Sequence, residues 1–126
     1  MAEATHEDAH LLLQLARLGQ QMDGTEARGF IWSDKFVSDH DEFLKKYPRG
    51  SKEYGYVQQL AYWFETVGTL WKHGLINEEL LLDWLAVHPT WERMKDILLH
   101  EREESGMSSM WENYEALAEA SVAAHV

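Results

Sequence analysis

Several features are missing from this sequence of 126 residues, and each absence excludes a class of protein. It has no cysteine, which excludes disulfides and thiolate metal sites, and we therefore expect a cytoplasmic protein. It has only two prolines and no strand-like alternation, which favours helices. The longest early apolar run, Leu11 to Leu13, is far short of the roughly 20 residues of a membrane span. Without a recognisable signal peptide either, the chain is expected to be soluble, with no membrane segment.

Basic residues are also scarce. The chain has 11 lysines and arginines against 22 acidic residues, a formal net charge of −11 at pH 7. The excess lies in residues 76–126, which hold 11 acidic and three basic residues, whereas residues 1–75 hold 11 and eight. Because phosphate backbones and anionic membranes attract basic surfaces, we expect no direct nucleic-acid partner. The acidic surface either keeps the protein soluble or receives a basic protein partner.

The patterns that are present are those of helices. The predicted fold class is all-α: a compact bundle of five to seven helices with short connections, in a single domain over residues 1–126. Helix 51–73 has the widest apolar stripe and is placed at the centre. Gly68 lies inside this helix, and the close approach of a neighbouring helix is the expected reason for a glycine there. The aromatic residues predicted in or beside the core are Phe64, Trp71, Trp84, Trp91 and Trp111.

Capping residues indicate where the helices begin and end. The predicted N-caps are Thr25, Asp39, Ser51, Asn77, Thr90 and Ser109, the last in a capping box with Glu112. Gly74 is expected in the left-handed conformation that ends the central helix, and Pro89 is expected to end the fourth. The predicted helices are 7–22, 25–47 with a break near Ser38, 51–73, 77–88, 90–105 and one that follows residue 109.

Three blocks of the sequence carry a resemblance to a known family. They are YWFETVGTLWKHGLINEELLLDWL, the pair Trp91-Glu92 followed by Arg102, and WENYEALAEA. Over residues 51–118 the chain resembles the bacterial family called domain of unknown function 4760. The resemblance implies no activity, because none is established for the family. It implies an N-terminal membrane anchor in many members, but the polar residues Gln14, Arg17 and Gln20 depart from that pattern, so no anchor is expected here.

The stretch HEDAH raises the question of a metal. His6 and His10 have the spacing of the two histidines in a zinc hydrolase, with Glu7 between them as the base. Too few residues precede the motif to supply a substrate-binding strand, and no third ligand follows in the extended pattern. A di-iron site would need a second Glu-x-x-His unit on another helix, which the sequence lacks. We therefore interpret His6, Glu7 and His10 as weak metal candidates at a helix end, and expect no cofactor.

Charged residues on the later helices predict an ion-pair cluster. Arg102 is the last basic residue of the chain, and we expect one of three glutamates to pair with it and hold the helix register. The glutamates of this predicted structural cluster are Glu65, Glu92 and Glu115. A separate acidic face of Glu92, Asp96 and His100 has the spacing to hold a cation, although a solvated surface explains it better.

Apolar residues on the flank of helix 51–73 predict self-association. Tyr56, Trp63 and Leu70 would form a larger apolar patch than monomers usually expose, and a two-fold dimer is the common way to cover one. Because the acidic C-terminal half repels a second copy, the predicted homodimer uses the N-terminal half.

The sequence favours no enzyme class. It contains no glycine-rich phosphate loop, no cysteine nucleophile and no recognisable catalytic triad. The function we expect is a small helical protein–protein interaction or regulatory module. The alternatives are a metal- or small-ligand-binding bundle, which could be enzymatic, and an acidic DNA mimic that inhibits a DNA-binding protein.

Overall fold

The computed structural model describes residues 3–124, where seven helices follow one another and no strand occurs. The predicted all-α class and the predicted number of helices are confirmed. The helices are α1 (His6–Gln21), α2 (Gly24–Ile31), α3 (His40–Lys46), α4 (Lys52–Lys72), α5 (Glu78–Trp84), α6 (Val87–Ser105) and α7 (Glu112–Ala124).

Three of the predicted N-caps form as expected. The side chains of Asp39, Ser51 and Asn77 each accept a hydrogen bond from the backbone N–H three residues later. These bonds satisfy donors that a helix start otherwise leaves free, so they fix where α3, α4 and α5 begin. Gly74 has a φ of 70° and ends α4, as predicted.

Helix α4 lies at the centre and packs chiefly against α2 and α7. Gly68 permits the contact with α7: a Cβ placed there would lie 2.5 Å from the backbone oxygen of Asn113. Near this contact the rings of Phe64 and Tyr114 stack with centroids 4.6 Å apart. Phe64, Trp91 and Trp111 are buried, and Trp71 and Trp84 are partly buried against the same core, so all five predicted aromatics lie in or beside it.

The second predicted helix starts elsewhere than expected. Thr25 is not its N-cap, because α2 already begins at Gly24, after Asp23 in the left-handed conformation. A Cβ on Gly24 would lie 2.5 Å from the backbone oxygen of Gly19, so the tight α1–α2 turn depends on this glycine. The expected break near Ser38 is present and longer than predicted, since α2 ends at Ile31 and α3 begins at His40.

Pro89 does not end a helix, contrary to the prediction. Helix α5 ends at Trp84 and α6 begins at Val87, so Pro89 is the third residue of α6. Proline is tolerated in this first turn because the backbone nitrogens there have no hydrogen-bond partner within the helix. Thr90 is likewise inside α6 rather than its cap, and its hydroxyl donates to the carbonyl of Ala86 at 2.8 Å.

Candidate functional site

The HEDAH stretch forms the first turn of α1. His6, Glu7 and His10 are all exposed. Asp8 has a structural role there: one carboxylate oxygen accepts the N–H of Thr5 and the other accepts the N–H of Asn77 from the start of α5. Within residues 3–124, no group of three or more histidine and carboxylate side chains is arranged to hold a metal ion.

The predicted ion-pair cluster is divided among different partners. Arg102 Nη2 lies 2.9 Å from Glu115 Oε1, so α6 and α7 are joined by an ion pair. Glu92 pairs with Lys95 on its own helix at 2.8 Å. Glu65 pairs with neither of these basic residues, Arg102 or Lys95. Its Oε1 accepts the backbone N–H groups of residues 113 and 114, at 3.0 and 2.9 Å. The structure therefore brings Arg102 and Glu115 together and assigns Glu65 to the start of α7.

Glu65 takes the place of the predicted cap at Ser109. Trp111, with a φ of 63°, turns the chain immediately before α7, and the N–H of Glu112 donates to the backbone oxygen of Ser109 at 3.1 Å. A carboxylate from α4 accepts the free N–H groups and lies at the positive end of the helix dipole. Burial raises the pKa of Glu65, and the two backbone hydrogen bonds oppose that rise.

The predicted self-association patch is not exposed. Trp63 is buried, and its indole N–H donates to the backbone oxygen of Leu15 at 2.9 Å. Tyr56 and Leu70 are partly buried against the core. The prediction that Trp63 lines an exposed face is wrong because α1 covers this side of α4.

A polar cleft opens between the beginning of α4 and the end of α6. Glu101 is central to it: its Oε2 accepts the hydroxyl of Tyr54 at 2.7 Å and the side-chain amide of Gln58. Arg49, from the turn before α4, contacts Glu104 at the open side. The cleft measures about 280 Å³ and is lined by Arg49, Tyr54, Glu101, Glu104, Ser105 and Met110.

Burial sets the electrostatics of the polar cleft. It raises the pKa of Glu101, while the hydrogen bonds from Tyr54 and Gln58 lower it in part. The pKa of Tyr54 lies well above its usual range, first because of burial and second because its hydroxyl is bonded to Glu101. At the solvent side, the hydrogen bond from Arg49 lowers the pKa of Glu104. Glu101 is thus held by donors rather than by a full ion pair, as expected of a carboxyl group that links two helices.

Two histidines stack beside this cleft. The rings of His40 from α3 and His100 from α6 are parallel within 3°, with centroids 4.2 Å apart. His40 is buried, and its Nε2 lies 3.5 Å from Glu104 Oε1. Its backbone N–H donates to Asp96 of α6 at 2.8 Å. The stack and this bond attach the short helix α3 to α6.

An apolar groove lies on a different part of α6. It runs between residues 85–89, where α5 turns into α6, and Ser121 and Val122 of α7. Its volume is about 480 Å³, and no charged residue lines it. Val122 has 40% of its surface exposed, and Ala86 and Pro89 are exposed as well. We call this feature the corner groove.

Neither the polar cleft nor the corner groove was predicted from the sequence. His88 lies in the first turn of α6 and lines the corner groove. His40 carried no motif, and His100 was noted only on an acidic face. The stack joins residues 60 positions apart, and local periodicity contains no signal for such a pair.

The fold and these surfaces define a helical domain whose concave surfaces include the polar cleft and the corner groove, with no metal centre within the described residues. The family model of the domain of unknown function DUF4760 matches residues 4–121. The chain belongs to this family, and the match extends beyond the 51–118 core seen in the sequence. No curated protein and no solved structure matches the chain. None of the helices between residues 3 and 124 is long and apolar enough to cross a membrane.

Proposed function

We propose that this domain is a protein–protein interaction module that binds a basic, amphipathic helical segment of a partner in the corner groove. The observation that carries the proposal is an open apolar groove in the acidic half of the chain. Its volume of about 480 Å³ lies within the range of roughly 300–1,000 Å³ of binding pockets. Two or three apolar side chains from one face of a partner helix fit such a groove.

The chemistry of the lining supports an apolar anchor. Leu85 and Val87 form the floor, Pro89 and Val122 stand at the edge, and only His88 and Ser121 are polar. Because no charged side chain has to lose its water, burying this surface gains free energy without a large desolvation cost. A concave surface with a mostly apolar lining and few polar groups has the general character of a binding pocket.

The rim supports a basic partner. Glu92 Oε1 lies 3.8 Å from the imidazole of His88, which places a carboxylate at one edge. Glu119 is exposed on α7 three residues before Val122, a spacing that puts the two on one helix face. Lysines or arginines that flank the apolar anchor would meet these carboxylates, and they would speed association at low salt.

The other expected functions have less support. The polar cleft, at about 280 Å³, is below the usual size for a small-molecule site and already holds Arg49. The predicted homodimer lacks the patch on which it was based, so the proposed partner is a different chain. The lack of cysteine fits a reducing cytoplasm, which we retain as the proposed location.

Capture of partners by tagged protein tests the proposal. We expect the wild type to retain a partner that Val122→Lys loses, because the lysine introduces a charge into the groove and repels a basic segment. Leu13→Lys is the matched control: Leu13 is an exposed apolar residue of α1, outside the groove. The captured partner should also dissociate as salt rises. Equal capture by Val122→Lys and the wild type would refute the proposal.

A further inference from the structure

The contact between α3 and α6 contains an unusual arrangement of hydrogen-bond acceptors. His40 Nδ1 lies 2.9 Å from Asp41 Oδ1. A carboxylate can only accept, so Nδ1 must carry the proton in neutral His40, and Nε2 is then left with a lone pair. That Nε2 is buried, has no hydrogen-bond partner among the described residues, and faces Glu104 Oε1 at 3.5 Å. In the neutral state, two acceptors therefore face each other where the buried ring meets the partly exposed carboxylate.

Addition of one proton resolves this conflict. Protonated Nε2 becomes a donor that points at a carboxylate, so the acceptor–acceptor contact becomes an ion pair. Glu104 can then join two parts of the chain to α6 at once, because its other oxygen already binds Arg49. One of these parts is α3 and the other is the turn that follows it.

The stacked ring favours the same direction. His100 Nδ1 lies 2.7 Å from the carbonyl oxygen of Asp96, which likewise fixes its proton on Nδ1. This bond, with the charges of Asp96 and Asp41, raises the pKa of His100. The charged groups that face the pair are Asp41 from α3, Arg49 from the turn, and Asp96, Glu103 and Glu104 from α6.

Four carboxylates and one guanidinium thus surround two imidazoles, and this excess of negative charge favours one proton on the stack, whereas a second proton would be repelled across 4.2 Å. We propose that the His40–His100 stack is a proton-binding site, and that proton uptake fixes α3 and the Arg49 turn on α6. The device is separate from the corner groove and does not depend on the proposed function. Proton uptake stabilises this wall of the polar cleft as the pH falls through the range in which histidines are protonated.

The sign follows from linkage. A histidine that gains a partner when protonated stabilises the fold fully below its unfolded pKa, and that contribution is lost as the pH rises through the folded pKa. The free energy of unfolding should therefore fall between pH 6 and pH 8. The melting temperature should fall over the same interval, and it should fall by less in a variant that lacks the site.

Thermal unfolding of the full chain at pH 6, 7 and 8 tests the proposal with three variants. Glu104→Gln lets an amide donate to the neutral His40 Nε2, so its pH dependence should be clearly flatter than that of the wild type. His40→Gln removes one ring of the stack and its contact with Glu104, so its pH dependence should be flatter as well. His10→Gln is the control, because His10 is exposed on α1, and it should retain the wild-type slope.

Histidine NMR titration gives the second measurement. The ring signals of His100 should change between pH 5 and 8 in the wild type, and their midpoint should move to lower pH in Glu104→Gln, because the variant removes one of the carboxylates near the stack. If His40→Gln does not fold, Glu104→Gln still decides the question, since Glu104 is partly exposed. A wild-type slope in Glu104→Gln, or a titration midpoint that the variant leaves unchanged, would overturn the proposal.

Discussion

Replacement of Gly68 by alanine should destabilise the protein, although alanine is the better helix former. In an exposed helix, Gly→Ala is worth about 1 kcal/mol in favour of alanine. At Gly68 the new Cβ would lie 2.5 Å from the oxygen and 2.7 Å from the carbon of the Asn113 carbonyl group. Both atoms belong to the backbone, so α7 has to move by about an ångström to reach ordinary contact.

The magnitude follows from what that movement disturbs. Overpacking of a closed contact costs about 1–3 kcal/mol. The same shift strains the bonds from residues 113 and 114 to Glu65, and hydrogen bonds to a charged group contribute about 1.5–3 kcal/mol. After the helix preference is subtracted, we expect a loss of about 2–4 kcal/mol in the free energy of unfolding. For a chain of this length, that lowers the melting temperature by about 6–15 °C.

The assay is urea or thermal unfolding monitored by circular dichroism, with Gly55→Ala as the matched control. Gly55 lies in the same helix, and a Cβ there would meet nothing within 4 Å. Gly55→Ala should therefore stabilise the protein by up to about 1 kcal/mol, because only the helix preference changes. If Gly68→Ala proved as stable as the wild type, the close α4–α7 contact and the reasoning from it would be refuted.

Two further predictions concern partly buried carboxyl groups. Glu65→Gln should lower the free energy of unfolding by less than about 1 kcal/mol, because its amide oxygen still accepts both N–H groups of α7 and the desolvated charge is gone. Glu65→Ala should lower it by about 1–3 kcal/mol, because the cap is lost. Equal losses of the two variants in urea unfolding would contradict this role. Tyr54→Phe removes a hydrogen-bond donor from Glu101 and therefore raises the pKa of Glu101, which burial has already raised. The variant should destabilise the protein more at pH 7 than at pH 4, where Glu101 is protonated. Unfolding free energies at the two pH values check this difference, and an equal or larger loss at pH 4 would contradict it.

Local sequence by itself determined the helical class and several helix boundaries. The caps at Asp39, Ser51 and Asn77 involve bonds within one turn, and the left-handed Gly74 needs no distant partner. Such features depend on the residue and its immediate neighbours, so they can be predicted from the sequence. The sequence also predicted that a neighbouring helix packs closely against Gly68, because an interior helix glycine implies a close neighbour. It did not predict that this neighbour is α7.

Tertiary structure alone decided which surfaces remain open and which charges meet. Trp63 has the spacing of an exposed flank residue, yet α1 covers it, and the carbonyl of Leu15 accepts its indole N–H. Glu65 caps a helix 48 residues away, and His40 meets His100 only because α3 folds back on α6. Periodicity records which residues share one helix face, but the partner that each face meets depends on how the helices pack. The polar cleft and the corner groove are products of that packing.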